Sequence, residues 1–378
     1  MPNFSTMYFK DLVGQKDLIG ESLKELVSGK IPHAKLFIGS PGYGTLALAL
    51  AYSQYLLCES PGSEDACGSC SSCGQLSQLQ HPDVHFVFPV VQAISKTSDG
   101  LLNVWRDAVK KSPYFSLFDW LKSIDDKERH PIIGVEESKE IIRKISLKSF
   151  QGGYKVMIMY GAEQMNTDCS NKLLKLLEEP PEKTVFILLV EQQQAILPTI
   201  QSRTQSLVFP RLHSLEIASY LEKVHGLDQS TADNLATFSE GDLCNALNLL
   251  ESGEMMETFR QDFMQLMRSS YKKNVNEMMN WADHMANLTK ERQKLFVVYA
   301  LHMLRQCTLM NYLGKEHVRL TQAELVFAEK FSPFITGNNI RQFSESMDEA
   351  FRNLERNASA KMLFTEMSFQ VMRYIHRA

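Results

Sequence analysis

The sequence predicts an α/β fold with a parallel sheet and helices on both faces, followed by an all-helical C-terminal third. Residues 35–38 (KLFI) form a buried-strand candidate that leads into a glycine turn and an Ala/Leu-rich helix pattern. Two further apolar runs, at 156–160 (VMIMY) and 185–190 (VFILLV), flank a helix-like segment at 171–179 that Pro180 ends. Alternation of short apolar strands with helices is typical of a parallel sheet.

A chain of 378 residues is too long for one small core and suggests two or three domains. The α/β pattern ends near Pro210, after which residues 214–225 read as a helix with Ser214 as its N-cap and Gly226 just past its end. From about residue 254 the pattern is helical. We therefore expect an α/β domain over 1–210, a small helical domain over 211–253 and a helical domain over 254–378.

The charge balance does not indicate a nucleic-acid binder by bulk electrostatics, because the formal net charge is −4. Arg143, Lys144 and Lys148 are candidates for a local basic face that contacts DNA, although an ordinary solvated helix face explains the same residues. The N-terminal stretch MPNFSTMYFKD lacks the pattern of a signal peptide, and no apolar run approaches the ~20 residues that span a bilayer. We expect a cytoplasmic protein with no membrane partner.

The stretch at 39–46 (GSPGYGTL) resembles a phosphate-binding loop that has lost its chemistry. Gly39 and Gly44 have the spacing of the GxxxxGK[ST] motif. Thr45 stands where the phosphate-binding lysine belongs, and Leu46 stands where the magnesium-binding hydroxyl belongs. The loop therefore keeps only the backbone N–H groups of a nucleotide site.

An ATPase also needs carboxylates at the end of a buried strand to hold magnesium and position water. The corresponding positions after the second apolar run are Tyr160 and Gly161, and Glu163 comes too late in the turn to be assumed equivalent. Phosphoryl transfer depends almost wholly on charge stabilisation and positioning. We therefore expect no intrinsic ATP hydrolysis and no functional ATP site.

Four cysteines lie within 16 residues in the pattern C-x8-C-x2-C-x2-C. This spacing predicts one structural Zn²⁺ site, since a closed four-thiolate set leaves no position for a reacting water. The intervening residues are rich in Gly and Ser, so a metal would supply their order. Unrelated thiols and an iron–sulfur cluster are the alternatives. The four candidate ligands are Cys58, Cys67, Cys70 and Cys73.

Residues 89–131 interrupt the α/β pattern and carry two of the three tryptophans, Trp105 and Trp120, with Tyr114, Phe115 and Phe118 nearby. We read this segment as a mostly helical insertion. It either packs on the sheet or offers an aromatic docking patch.

Arg203 lies in TIQSRT, just beyond the third apolar run. Position alone allows two readings. One is a surface arginine in a salt bridge, and the other is an arginine finger given in trans to the phosphates bound by a neighbouring subunit.

Together these motifs resemble the delta-prime family of subunits in the bacterial DNA polymerase III clamp loader, within the AAA+ family. The resemblance covers residues 9–204. The segments that carry it are FKDLVGQKDL (9–18), HAKLFIGSPGYG (33–44), the four cysteines with the following HPD (81–83), NKLLKLLEEPP (171–181) and SRT (202–204).

The resemblance implies a RecA-like P-loop AAA+ domain, a helical lid and a helical collar that joins a ring of subunits. It places Val190 and Cys244 at positions where active relatives sense phosphate, and neither side chain suits that task. It also implies that Arg203 is the trans-acting arginine, although the third residue of the motif is Thr204 where the family has cysteine. The length of residues 89–131 departs from the family pattern, so their role is not implied.

By this resemblance the chain is a non-catalytic stator subunit that helps load the sliding clamp onto primed DNA. The implied partners are the clamp-loader ATPase subunits (gamma/tau), the delta subunit, the beta clamp through the complex, and primer–template DNA bound without sequence specificity. A degenerate AAA+ adaptor in another DNA-processing complex is the main alternative. An ATP-driven motor subunit and an unrelated zinc-dependent nucleic-acid-binding module are further alternatives.

Overall fold

The computed structural model describes residues 7–125, 129–251, 253–318, 320–356 and 358–376; residues 1–6 and residues 126–128 of the expected insertion lie outside the described residues. The chain divides into two compact units. The first comprises Met1–Gly226 with Glu240–Cys244, and the second comprises Leu227–Ser239 with Asn245–Ala378. The expected three-domain division stays a prediction.

The first unit contains a five-stranded, wholly parallel sheet in the order β2-β3-β4-β1-β5. All residues of the central strands β1, β3 and β4 are buried, as expected for strands covered on both faces. The strands are β1 (Ala34–Ile38), β2 (Val84–Val87), β3 (Lys155–Met159), β4 (Thr184–Val190) and β5 (Gln205–Val208).

The strand order requires helices on both faces of the sheet. The chain moves one way across the sheet from β1 to β2 and the opposite way from β2 through β3 and β4 to β5. Right-handed crossovers then place the two sets of connections on opposite faces. The helices of this unit are α1 (Lys16–Ser28), α2 (Thr45–Leu56), α3 (Ser71–Ser77), α4 (Leu102–Lys111), α5 (Leu117–Ile124), α6 (Val135–Ser146), α7 (Thr167–Glu178), α8 (Pro198–Gln201) and α9 (Ser214–His225).

The core beneath α6, α7 and α8 shows the two-residue period of strands. Alternate residues of β1 and β4, including Leu36, Phe186 and Leu188, pack with Ile141 of α6 and Leu173 of α7. The intervening strand residues are equally buried on the other face. Because both faces of the sheet are covered, these strands appear in the sequence as continuous apolar runs.

Helix α9 has the predicted length, but the predicted N-cap was wrong. His213 is the N-cap, and its backbone N–H donates to the Glu216 carboxylate at 3.2 Å, which forms a capping box. Ser214 is the first helical residue instead. Gly226 follows the last turn in the left-handed region at φ 67°, as predicted.

The second unit is helical throughout its described residues. Trp281 of α13 is fully buried against Phe296 and Phe364, and its Nε1 donates to the Asp262 carbonyl at 3.0 Å. Helix α13 packs along α17, and α14 packs along α16. The helices are α10 (Gln229–Phe238), α11 (Leu243–Glu251, which begins in the first unit), α12 (Gly253–Tyr271), α13 (Val275–Ala286), α14 (Lys290–Leu313), α15 (Gln322–Phe331), α16 (Ile340–Glu355) and α17 (Ala360–Ile375).

The predicted α/β fold with a parallel sheet, helices on both faces and a helical C-terminal region is confirmed. Across the described ranges, every helix is too short or too polar to cross a bilayer.

Candidate functional site

The glycine loop joins β1 to α2 as a phosphate-binding loop would. Pro41–Tyr43 form a single 3₁₀ turn, and Gly44 caps α2 with φ 95°, a conformation that favours glycine. Gly42 has no room for a side chain, because a Cβ there would overlap with Asp242. The glycines are therefore explained by the local backbone and its neighbours.

The two side chains that stand at the positions of the phosphate-binding lysine and the magnesium-binding hydroxyl are buried. Thr45 is 2% exposed, and Leu46, the second residue of α2, is fully buried. Leu46 therefore serves packing, and no ammonium group stands in for the missing lysine among the described residues that line the pocket. Val190 also lines this pocket with its apolar side chain.

The pocket itself is nearly filled. The cavity that remains has a volume of about 10 Å³, which is about the space that one water requires. Leu117 of α5 and Tyr160, the residue after β3, line it together with Thr45. This enclosed volume is much smaller than a nucleoside triphosphate.

Carboxylates rather than basic groups face the pocket. Glu163 and Glu191 both line it, and Glu163 Oε1 accepts a hydrogen bond from the Glu191 backbone N–H at 3.3 Å. Burial raises the pKa of the Glu163 carboxyl, and burial together with the charges of Glu163 and Asp242 raises that of Glu191. Asp242 also accepts a hydrogen bond from the Ser40 hydroxyl in the loop. The described lining of the pocket thus offers carboxyl groups and no basic side chain to a phosphate.

Two of these acids were missed at the level of sequence. Glu163 lies late in the turn after β3, which argues against a role in the pocket at the level of sequence, yet its side chain reaches the pocket. Glu191 is the residue after β4, where side chains of a parallel sheet meet a ligand crevice, and this position could have signalled it. Asp242 lies about 200 residues from the loop, so only the tertiary fold brings it there.

The insertion packs on the sheet, as one of the two readings predicted. Trp105 and Trp120 are fully buried, and Trp105 stacks on Phe88 with ring centroids 4.4 Å apart. Trp120 Nε1 donates to the Pro89 carbonyl at 2.8 Å. Of the five aromatic residues named above, only Phe118 is exposed, at 55%.

The four predicted cysteine ligands come together at the end of α2 and the start of α3. Their Sγ atoms all lie within 4.8 Å of one another, close to the ~3.8 Å separation that a tetrahedral site with ~2.3 Å metal–sulfur bonds requires. Backbone N–H groups point at the sulfurs: Cys67 N–H donates to Cys58 Sγ at 3.2 Å and Cys73 N–H donates to Cys70 Sγ at 3.4 Å.

Other backbone N–H groups of this loop favour a thiolate at Cys67, whereas burial raises the pKa of the Cys58 and Cys73 thiols. The N–H groups of Ser69 and Cys70 lower the pKa of the Cys67 thiol to about 6. Thiolates are the species that bind zinc and similar metals. The donor set therefore fits a metal ion bound by four sulfurs.

Arg203 follows the short helix α8 and remains partly accessible. Its Nη2 lies 2.7 Å from Glu178 Oε1 at the end of α7, and its Nη1 donates to the Thr199 carbonyl at 3.0 Å. The side chain is 35% exposed and is not among the residues that line the chain's own pocket. The structure thus contains the salt bridge of the simpler reading and leaves the trans role open as a proposal.

The three basic residues considered for DNA contact are not equivalent. Lys144 is 9% exposed and pairs with Asp99, so it does not belong to a surface. Arg143 and Lys148 are exposed, and Arg143 pairs with Glu140 at 2.6 Å.

The profile of the family described as DNA polymerase III, delta subunit matches residues 14–213. DNA polymerase III subunit delta' of Yersinia pestis is 31% identical over 195 residues, which are 52% of this chain and 44% of that protein. The delta' subunit of Bacillus subtilis is 30% identical over 233 residues, 62% of this chain and 55% of that protein.

The subunit tau of Bacillus subtilis is 24% identical over 373 residues, which are 96% of this chain and 56% of that protein. The chain thus spans about half the length of the curated relatives it matches. A solved structure of a DNA polymerase III gamma subunit-related protein from Thermotoga maritima has a TM-score of 0.40 at 14% identity, covering 94% of this chain and 99% of that one.

The family match covers more than half of the chain. The matched residues include all five strands of the parallel sheet, which confirms the α/β fold class that the sequence predicts. The protein therefore belongs to the DNA polymerase III delta-subunit family and is similar to its delta' members.

Proposed function

We propose that this protein is a non-catalytic stator subunit of the DNA polymerase III clamp loader. It helps to load the sliding clamp onto primed DNA as the delta-prime member of a ring of subunits. It hydrolyses no ATP of its own and contributes Arg203 to the ATP site of a neighbouring subunit. The proposal rests on its family membership and on one contrast within the first unit.

That contrast is between a closed pocket and an accessible arginine. The enclosed volume of the pocket is about 10 Å³, and its lining includes Glu163 and Glu191 and no basic side chain, which supports a pocket without ATP. Arg203 stands outside this pocket with a guanidinium that is 35% exposed. An arginine that serves a neighbour has to be accessible at the surface, whereas one that serves only the local fold does not.

The chemistry of a guanidinium suits this role. It is permanently charged and presents a planar fork of donors, which matches a phosphate as well as it matches the Glu178 carboxylate. When a neighbour's ATP comes within reach, the γ-phosphate replaces the carboxylate as the partner. Such a finger is typically worth ~10³–10⁵ in rate at the site it serves.

The proposed partners follow from the same assignment. They are the gamma/tau ATPase subunits, the delta subunit, the beta clamp through the complex, and the phosphate backbone of primer–template DNA. The proposed location is the cytoplasm. Arg143 and Lys148 are the exposed basic residues on the α6 side that remain candidates for the DNA contact. For the four-cysteine cluster we propose a structural Zn²⁺ held by Cys58, Cys67, Cys70 and Cys73, which would order the loop between α2 and α3.

The decisive experiment compares the DNA-stimulated ATPase of the reconstituted loader containing wild-type protein with that containing Arg203→Ala. The neighbouring site loses its finger, so the rate falls to what the other ATP sites supply. Arg211→Ala is the matched control, since its side chain is 68% exposed and its nearest carboxylate oxygen, on Glu240, is 3.9 Å away.

Assembly is measured in the same samples by size-exclusion chromatography. An assembled Arg203→Ala complex with a wild-type ATPase rate would exclude the trans role. Failure of the wild-type chain to enter a complex with the gamma/tau and delta subunits would instead favour the degenerate AAA+ adaptor of another DNA-processing complex.

A further inference from the structure

Residues 112–120, here called the plug, carry the insertion into the degenerate pocket. Tyr114 is buried, and its hydroxyl accepts a hydrogen bond from the Val13 N–H at 3.2 Å. Its ring lies over the glycine loop, so that a Cβ built at Gly44 would stand 3.4 Å from Tyr114 Cε1. Leu117, the first residue of α5, lines what remains of the cavity.

The plug joins parts of the first unit that are distant in sequence. Tyr160, after β3, donates its hydroxyl to the Phe115 carbonyl at 2.8 Å. Cys244 Sγ donates to Asp119 Oδ2 at 3.3 Å. The plug thus contacts the N-terminal segment, the glycine loop, the residue after β3 and residues 240–244.

The plug is held rigidly at its base. Val90 and Ile132 close the insertion through two reciprocal backbone hydrogen bonds of 3.1 and 3.0 Å. Ser116 and Asp119 form a capping box at the start of α5, and Trp120 anchors that helix beneath Phe88. These contacts anchor the plug to the first unit.

We propose that the plug is an intramolecular ligand that takes the place of a nucleotide in this pocket. Leu117 occupies part of the pocket, Tyr114 covers the glycine loop at Gly44, and the hydrogen bonds of the plug tie it to the neighbouring elements. The first unit is therefore held in one conformation whether or not adenine nucleotides are present. This inference deepens the proposed function by giving a physical reason why the subunit does not respond to ATP.

The test measures binding of a fluorescent N-methylanthraniloyl ATP with Mg²⁺ to the isolated full chain. Four proteins are compared: wild type, Thr45→Lys, the triple variant Thr45→Lys/Tyr114→Ala/Leu117→Ala, and Thr45→Lys/Phe118→Ala as the matched control. Phe118 belongs to the same segment but is 55% exposed. We expect saturable binding by the triple variant, with a dissociation constant at least about tenfold lower than that of the other three.

Binding by Thr45→Lys as tight as that of the triple variant would overturn the proposal, since the plug would then exclude nothing. A folded triple variant that does not bind would overturn it as well.

A milder variant covers the case in which the triple variant fails to fold. Tyr114→Phe removes only the hydroxyl that accepts from Val13, and hydrogen exchange in residues 8–15 should accelerate by a few-fold to about tenfold. Unchanged exchange there would contradict the claim that the plug holds the N-terminal segment.

Both readouts use the chain without its partners, whereas the Arg203 experiment uses the assembled loader. Failure of the plug would therefore leave the stator assignment standing, and failure of the stator assignment would leave the plug standing.

Discussion

Arg203 and Glu178 form an ion pair, with Nη2 and Oε1 2.7 Å apart, that joins the segment after α8 to the end of α7. The pair is partly exposed on both sides, with side-chain exposures of 35% and 47%. Solvent screens such pairs, and the net contribution to stability is typically 0.2–1 kcal/mol. The ion pair positions the guanidinium without making the fold depend on it.

The first prediction concerns the stability of Arg203→Ala. We expect the free energy of unfolding to fall by no more than about 1 kcal/mol, because only a screened pair is lost. Urea denaturation followed by circular dichroism measures this, with Glu178→Gln as the control that removes the other partner. A loss well above about 2 kcal/mol would show a structural role and would make any ATPase defect of the variant ambiguous.

The second prediction concerns metal content. Protein purified without chelators should contain about one zinc per chain, and Cys67→Ser should contain far less, because a closed site needs four thiolates. Mass spectrometry of the metal measures the stoichiometry, and limited proteolysis between residues 58 and 73 measures the order that the metal supplies. Ser71→Ala is the control, since it alters an exposed neighbour of the ligands. Full zinc content in Cys67→Ser would contradict the four-sulfur site.

The third prediction concerns pH. Burial, aided by the charges of Lys144 and Lys155, lowers the pKa of His85 from 6.5 to about 4. The unfolded chain therefore takes up a proton below pH 6.5 that the folded chain does not, and stability is lost as the pH falls from 6.5 towards 4. This one residue contributes a slope of at most about 1.4 kcal/mol per pH unit.

Replacing His85 with Gln should flatten that part of the stability profile, measured by urea denaturation at a series of pH values. His130→Gln is the control because His130 is exposed. An unchanged slope in His85→Gln would show that other groups cause the acid loss.

The fourth prediction concerns the aromatic base of the insertion. Trp105 contacts Phe88, Phe115, Trp120 and Tyr160 and is fully buried. Trp105→Ala should cost about 3–5 kcal/mol, because it removes a large side chain and leaves a cavity. The adjacent Val104→Ala, at a position 37% exposed, should cost far less. If thermal or urea unfolding showed that Trp105→Ala lowers the free energy of unfolding as little as Val104→Ala does, the insertion would not be part of the core.

The central strands could be predicted from sequence, and the edge strands could not. Strands β1, β3 and β4 are buried on both faces, so each appears as an apolar run. Such a run can be recognised without knowing which strands lie next to it. Strand β5 (QSLV) has only one buried residue and becomes a strand by pairing with β1. Its assignment depends on a partner about 170 residues away in sequence, which local periodicity does not contain.

The sequence by itself determined that the glycine loop lacks the lysine and the hydroxyl of a phosphate-binding loop. It also determined that four cysteines have the spacing of a metal site and that an arginine follows the last central strand. Each of these features depends only on residue type and short-range spacing. The tertiary structure decided what fills and surrounds the loop. Leu117 lines the pocket, Tyr114 covers Gly44 of the loop, Asp242 faces the loop, and Lys144 is buried against Asp99. These relationships depend on which distant segments the sheet brings to one place, and burial and charge at a site are properties of that assembly.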